Sequence, residues 1–162
     1  MDVLFLCRFG DLLVGKEPKV DKINMLSTGE KLIAGAAILL LLDSFIFPWY
    51  SVDLGIVDFT ANAWEAPGAI WSILAVLIGI GLAVAVLGPK FANMQMPALP
   101  SNLTMGQLFL GGGILAFIFL VLKFINESDY VGFGFWIGFV LTAAMAAGGY
   151  LMYAEEKTGV RR

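Results

Sequence analysis

Histidine is absent from this sequence of 162 residues, and cysteine occurs once, as Cys7. Without histidine, the commonest general base is missing, and so are the Cys/His sets that bind zinc. A single cysteine also excludes any disulfide within the chain. We therefore predict no catalytic residues, no cofactor and no metal site, and we expect a protein that is not an enzyme.

Charged residues are scarce as well. They make up 14% of the chain, and hydrophobic residues make up 59%, whereas soluble domains average about 25% charged residues. A chain with so little charge cannot cover its surface with polar groups, which indicates a protein embedded in lipid. The net charge of −3 offers no basic footprint for nucleic acid, so we expect no nucleic-acid partner.

Four long apolar runs satisfy the length of about 20 residues that a helix needs to cross a bilayer. Backbone groups in lipid must be satisfied within the segment, so each run is predicted to be a helix. The sequence thus predicts an all-α membrane protein, an antiparallel bundle of four transmembrane helices within residues 27–156. The predicted spans are 31–50, 69–87, 105–125 and 132–153.

Local signals mark the ends of these spans. Ser27 and Glu30 have the spacing of a capping box before the first span. Pro67 precedes the second span and Gly88-Pro89 is predicted to end it. Ser101 or Asn102 is predicted to cap the third.

Basic residues set the orientation, because they accumulate on the cytoplasmic side of membrane proteins. With the N-terminus inside, every lysine and arginine except Lys123 is cytoplasmic. We therefore predict a multi-pass protein of the bacterial inner (plasma) membrane with both termini in the cytoplasm. All four tryptophans then lie at or beyond the outer interface, where indole rings are favoured.

The two ends of the chain lie outside the predicted bundle. Residues 1–26 form a cytoplasmic segment that either lies on the membrane as an amphipathic helix or is a loose tail. The remaining hypothesis for this segment is an overcalled gene start, with Met25 as the true initiator. Residues 157–162 form a short basic tail.

Small residues recur at intervals of four along the apolar runs, and such stripes let membrane helices approach closely. We predict that they pack the bundle, with an interface between copies as the alternative. The predicted packing residues are Ala75, Gly79, Ala83, Gly112, Ala116, Gly134, Gly138, Thr142 and Ala146.

Asp43 is the one charge in the middle of the first run, and Lys123 lies near the outer end of the third. An unpaired charge in hydrocarbon costs about 2.5–3.5 kcal/mol on insertion scales. We therefore predict an intramembrane ion pair between them, direct or through water. The alternatives are a carboxyl bonded to another neighbouring helix, side chains that reach interfacial water, and an ion or proton site in a transport path.

The segments LSTGEKLIAGAAILLLL, FPWY, NAWEAPGAIW and GGYLMYAEE together resemble a group of uncharacterised small bacterial membrane proteins with four spans. The layout is also similar to claudin-like bundles, although the cysteines and the tryptophan motif of the claudin loop are absent. The resemblance implies a fold and a location but no activity.

We predict a non-enzymatic protein that acts by association, as an accessory subunit of a membrane complex or as a self-assembling structural protein. Its expected partners are the lipid bilayer and other membrane subunits or itself. The first outer loop is expected to be a solvated recognition surface, formed by Trp49, Asp53, Asp58, Trp64 and Glu65. The alternative is a small oligomeric transporter or channel that uses Asp43.

Overall fold

The computed structural model describes residues 25–53, 55, 57–65, 68–94 and 103–159. The predicted segment 1–26 therefore lies almost wholly outside the described residues, as do residues 160–162 of the basic tail, Pro67, Ser101 and Asn102. In chain order, the described elements are α1 (Thr28–Ile46), β1 (Tyr50–Asp53), β2 (Asp58–Ala61), α2 (Ala69–Phe91), α3 (Met105–Asn126), a 3-10 turn (Ser128–Tyr130) and α4 (Phe133–Thr158).

Three of these helices, α2, α3 and α4, are long and apolar enough to cross a membrane. They match the predicted spans 69–87, 105–125 and 132–153, and they indicate a multi-pass membrane protein. Helix α1 is shorter, with 19 residues, and it contains Glu30, Lys31 and Asp43. It does not belong to this set of three, although it packs with them.

Helix α1 begins with the capping box that the sequence predicts. The Ser27 hydroxyl accepts a hydrogen bond from the Glu30 N–H, and the Glu30 carboxylate accepts one from the Ser27 N–H at 2.7 Å. These bonds satisfy backbone donors that have no partner inside a helix. The same carboxylate forms an ion pair with Lys90 at the end of α2, which joins the two helices at this level.

The first helix ends at Ile46, earlier than the predicted boundary at Tyr50. Phe47 adopts an extended conformation with φ −100° and ψ 144°. A proline disfavours helical angles in the residue before it, so Pro48 explains this early end.

Two other predicted boundaries were wrong. Helix α2 continues through Pro89 to Phe91; the missing proline N–H removes one bond near the helix end without stopping it. Helix α3 is capped by Thr104, which lies after the predicted Ser101 or Asn102. Its hydroxyl accepts from the Gln107 N–H at 3.2 Å, and Gln107 completes a second capping box.

The four helices contact one another in chain order, and α4 closes the ring against α1. Close neighbours show that α4 is antiparallel to α1 and to α3, because Gly106 of α3 lies beside Tyr153 and Gly113 lies beside Ala146. Along α1 and α4, Gly29 lies beside Gly148, and Gly134 lies beside Phe47. The core between the helices contains Ile33, Leu40, Val76, Leu120 and Met145, all 1% exposed or less.

Most of the predicted packing residues lie in this interior. Ala75, Ala116 and Thr142 are fully buried, and a Cβ on Gly112 would lie 2.8 Å from the Leu82 side chain. The closest backbone contacts involve glycines outside the predicted set. A Cβ on Gly113 would lie 2.7 Å from the Ala146 Cα, and a Cβ on Gly149 would lie 2.5 Å from the Leu110 N.

We expect Gly113→Ala to destabilise the protein, because its methyl group would force α3 and α4 apart. Overpacking of this kind costs about 1–3 kcal/mol. Gly111→Ala is the matched control: it lies on the same helix and its Cβ would meet nothing within 4 Å. Thermal unfolding in detergent should show a lower midpoint for Gly113→Ala and an unchanged or higher one for Gly111→Ala. Equal midpoints would contradict the close packing of α3 on α4.

Candidate functional site

The connection between α1 and α2 is a short hairpin that covers one end of the helices. Strands β1 and β2 are antiparallel, with Tyr50 opposite Ala61 and Asp53 opposite Asp58. An isolated two-stranded hairpin is only marginally stable in water. This one is held at its base, because the Trp49 N–H donates to Ala61 O at 2.9 Å and the Gly132 N–H donates to Trp49 O at 3.0 Å.

Asp43 and Trp49 form the central polar contact beneath the hairpin. The indole N–H of Trp49 donates to the Asp43 carboxylate at 3.0 Å, and both side chains are at least 97% buried. They lie six residues apart, across the end of α1. The chain turns back at Phe47 and Pro48, and this turn brings the ring over the last helical turns. The contact gives a buried donor and a buried acceptor a partner each.

Glycines of α4 make the room for the Trp49 ring. A Cβ on Gly134 or Gly138 would lie 2.7 Å from atoms of this ring. Both glycines belong to the predicted packing stripe, but here they receive a tryptophan side chain. Phe135 closes the site with an edge contact to the ring, at a centroid distance of 6.0 Å.

Two buried serines hold the segment after the hairpin. The Trp64 indole donates to the Ser44 hydroxyl at 3.1 Å, and the Ala63 N–H donates to the Ser44 carbonyl at 3.2 Å. From the other side, the Ser72 hydroxyl on α2 donates to the Ala63 carbonyl at 2.6 Å. The segment is therefore bonded to both α1 and α2. We had not predicted a role for either serine.

Lys123 lies on α3 at a depth similar to that of Asp43. Asp43 lies near Gly138 on α4. Gly113 of α3 lies beside Ala146 of α4. Counting along the two antiparallel helices from this contact, at about 1.5 Å per residue, places Lys123 roughly 3 Å from the level of Gly138. The two groups nevertheless have nearer partners. Lys123 faces Glu127 at 3.5 Å, and Asp43 accepts from Trp49.

A direct ion pair between Asp43 and Lys123 is not found among the described residues, so this form of the predicted contact was wrong. The Asp43 carboxylate instead accepts from Trp49, in the segment that follows its own helix, and none of the predicted alternatives named this partner. Its Oδ1 atom is buried, and no hydrogen-bond donor in the described part of the chain reaches it. A contact to Lys123 through water stays a prediction.

The exposed face of the hairpin carries acidic and apolar side chains together. Asp53, Asp58 and Glu65 are exposed, as predicted for the recognition surface. Trp49 is 1% exposed, so its predicted place on that surface was wrong, and Trp64 is partly buried against Ser44. The exposed apolar side chains at this end are instead Val57 and Phe59 of the hairpin, at 64% and 58%, and Tyr130 of the 3-10 turn, at 48%.

The described residues contain no group of three or more metal-binding side chains of the His, Cys, Asp and Glu types. No family model, curated protein or solved structure matches the chain. The resemblance to small four-span proteins thus stays a prediction.

We expect the Asp43–Trp49 bond to stabilise the fold through hydrogen bonding more than through charge. Asp43→Leu leaves the buried indole N–H without an acceptor, which costs about 1–3 kcal/mol. Asp43→Asn keeps an acceptor of the same shape and should unfold at a higher temperature than Asp43→Leu. Melting in detergent measures both.

The control is Trp49→Phe, which removes the donor and keeps most of the ring. In that background, the difference between Asp43→Leu and Asp43→Asn should shrink. A difference of the same size in both backgrounds would show that Asp43 acts through some other group.

Proposed function

We propose that this protein is an integral membrane protein with four spans that acts by association, and that the outer hairpin is its recognition surface. The observation that carries the proposal is the anchored hairpin. The residues just before β1, Pro48 and Trp49, are bonded to the start of α4, and those just after β2, Ala63 and Trp64, are bonded to α1 and α2. A surface held in this way loses little conformational entropy on binding, which favours association.

The proposed fourth span is α1. Its 19 residues are about 28 Å long at 1.5 Å per residue, close to the bilayer core of about 30 Å. Its one exposed charge, Lys31, lies in the first turn of the helix. Asp43 is buried, and Glu30 pairs with Lys90 at the other end. The outward face is apolar, with Leu32, Ile38, Leu39, Leu42, Phe45 and Ile46 exposed.

The proposed orientation puts the hairpin outside and both termini in the cytoplasm of a bacterial cell. Lys31 and Lys90 lie at the end opposite the hairpin, the end where α4 also carries Lys157. The hairpin end carries Asp53, Asp58 and Glu65. This asymmetry follows the rule that basic residues stay inside.

One labelling experiment tests orientation and association together. Cys7→Ser removes the native thiol, and Phe59→Cys places a new one on the exposed hairpin. A thiol-reactive photocrosslinker that cannot cross membranes is applied to intact cells. We expect labelling at position 59 and, after illumination, a discrete adduct larger than the monomer, whose components mass spectrometry identifies.

Thr158→Cys in the same background is the control, because α4 ends there on the proposed cytoplasmic side. It should stay unlabelled until the cells are opened. Labelling at position 158 and not at 59 would reverse the orientation. Efficient labelling at 59 that yields monomer alone would contradict association through the hairpin.

The unsatisfied Oδ1 atom of Asp43 favours a second candidate function, an oligomeric transporter or channel. Carboxylates within membranes often bind protons or ions along a path. This function predicts that Asp43→Asn abolishes flux while the protein remains folded. Proton flux is measured in proteoliposomes with an enclosed pH-sensitive dye. Wild-type flux equal to that of empty vesicles would exclude proton transport.

A further inference from the structure

A groove of about 250 Å³ lies between the end of α1 and the segment that follows β2. It is distinct from the buried Asp43–Trp49 contact and from the exposed tip of the hairpin. Its lining includes Phe45, Ile46, Phe47, Thr60, Asn62 and Glu65.

The charge in the groove is negative. Glu65 is the one ionisable residue in its lining. Helix α1 also ends here, at Ile46, with no basic residue in its last turn. The carbonyl groups at a helix C-terminus carry a partial negative charge. The groove therefore attracts a cation and repels an anion.

Aromatic rings supply the rest of the recognition chemistry. Phe45 stacks on Trp64 at a centroid distance of 5.2 Å, yet it remains 58% exposed, so part of its surface is open. Phe47 is 39% exposed. Ring faces attract ammonium groups through their quadrupole, and aromatic residues beside a carboxylate are a common site for alkylammonium ions.

The position of the groove points to a lipid as the source of that ion. Phe45 and Ile46 belong both to its lining and to the exposed apolar face of α1. The groove thus opens toward the side that faces lipid in the arrangement proposed above. It lies at the end of the proposed span, at the depth where phospholipid headgroups begin.

We propose that this groove binds the ammonium group of a zwitterionic phospholipid, with phosphatidylethanolamine as the ligand. Glu65 neutralises the ammonium charge, and the rings of Phe45 and Phe47 contact its apolar and cationic surface. Thr60 and Asn62 provide a polar wall. The proposal rests on the membrane arrangement proposed above, but it does not require a protein partner.

Native mass spectrometry of the purified full-length protein tests the site. The detergent-solubilised protein is titrated with phosphatidylethanolamine and phosphatidylglycerol that carry identical acyl chains. We expect tighter retention of phosphatidylethanolamine, and about a tenfold loss of its affinity in Glu65→Gln, a difference that titration resolves readily. Asp58→Asn is the matched control, since Asp58 is an exposed acid outside the groove lining, and it should bind like the wild type.

Three results would overturn the proposal: equal retention of both lipids, Glu65→Gln binding like the wild type, or displacement of the lipid by free ethanolamine at low concentration. The last would assign the groove to a soluble ammonium ion. Flotation of the protein with liposomes checks the membrane arrangement separately. A protein that floats but shows no lipid preference would contradict this proposal alone.

Discussion

The hydrogen bond from Trp49 to Asp43 is the contact on which the hairpin end of the molecule depends. It connects the last turns of α1 to the first residue after the proline, and it places a large ring in the cleft between α1 and α4. Gly134 and Gly138 leave space for that ring, so α4 is shaped to receive it. The backbone N–H of Trp49 donates to Ala61, and its C=O accepts from Gly132. Fixing Trp49 therefore also fixes the base of the hairpin.

The same end of the molecule contains most of the buried polar side chains. Ser44, Ser72 and Lys123 all lie there, with Asp43. Each serine hydroxyl donates to a backbone carbonyl, which lowers the cost of burying it. The opposite end is joined by different means, namely the capping box at Ser27 and the ion pair of Glu30 with Lys90. Polar contacts thus stabilise both ends of the helices, while apolar side chains and glycines pack between the helices in the middle.

The apolar runs predicted α2, α3 and α4 because hydrophobicity over about 20 residues is a local property. The capping box at Ser27 was predictable for the same reason, since its partners lie three residues apart. The burial of Trp49 was not predictable, because it depends on the glycines of α4, which are distant in sequence. The pattern alone placed it at the membrane interface, where indoles are common. The partner of Asp43 was missed because a charge in an apolar run shows that a partner is needed without showing which one.

The interior between the two polar ends of the molecule is an apolar layer, and this layer matters for the hypothesis of a transport path. Ala75, Ala116, Leu40, Leu120 and Met145 fill it, and all five have no measurable exposure. The hydroxyl of Thr142, which is also buried, donates to carbonyls of its own helix, at Gly138 and Phe139. An ion that crossed one protomer would have to pass this layer without polar partners, at a high desolvation cost. A transport path would therefore have to run outside this layer, where Asp43 is not exposed, and this counts against a path that uses Asp43.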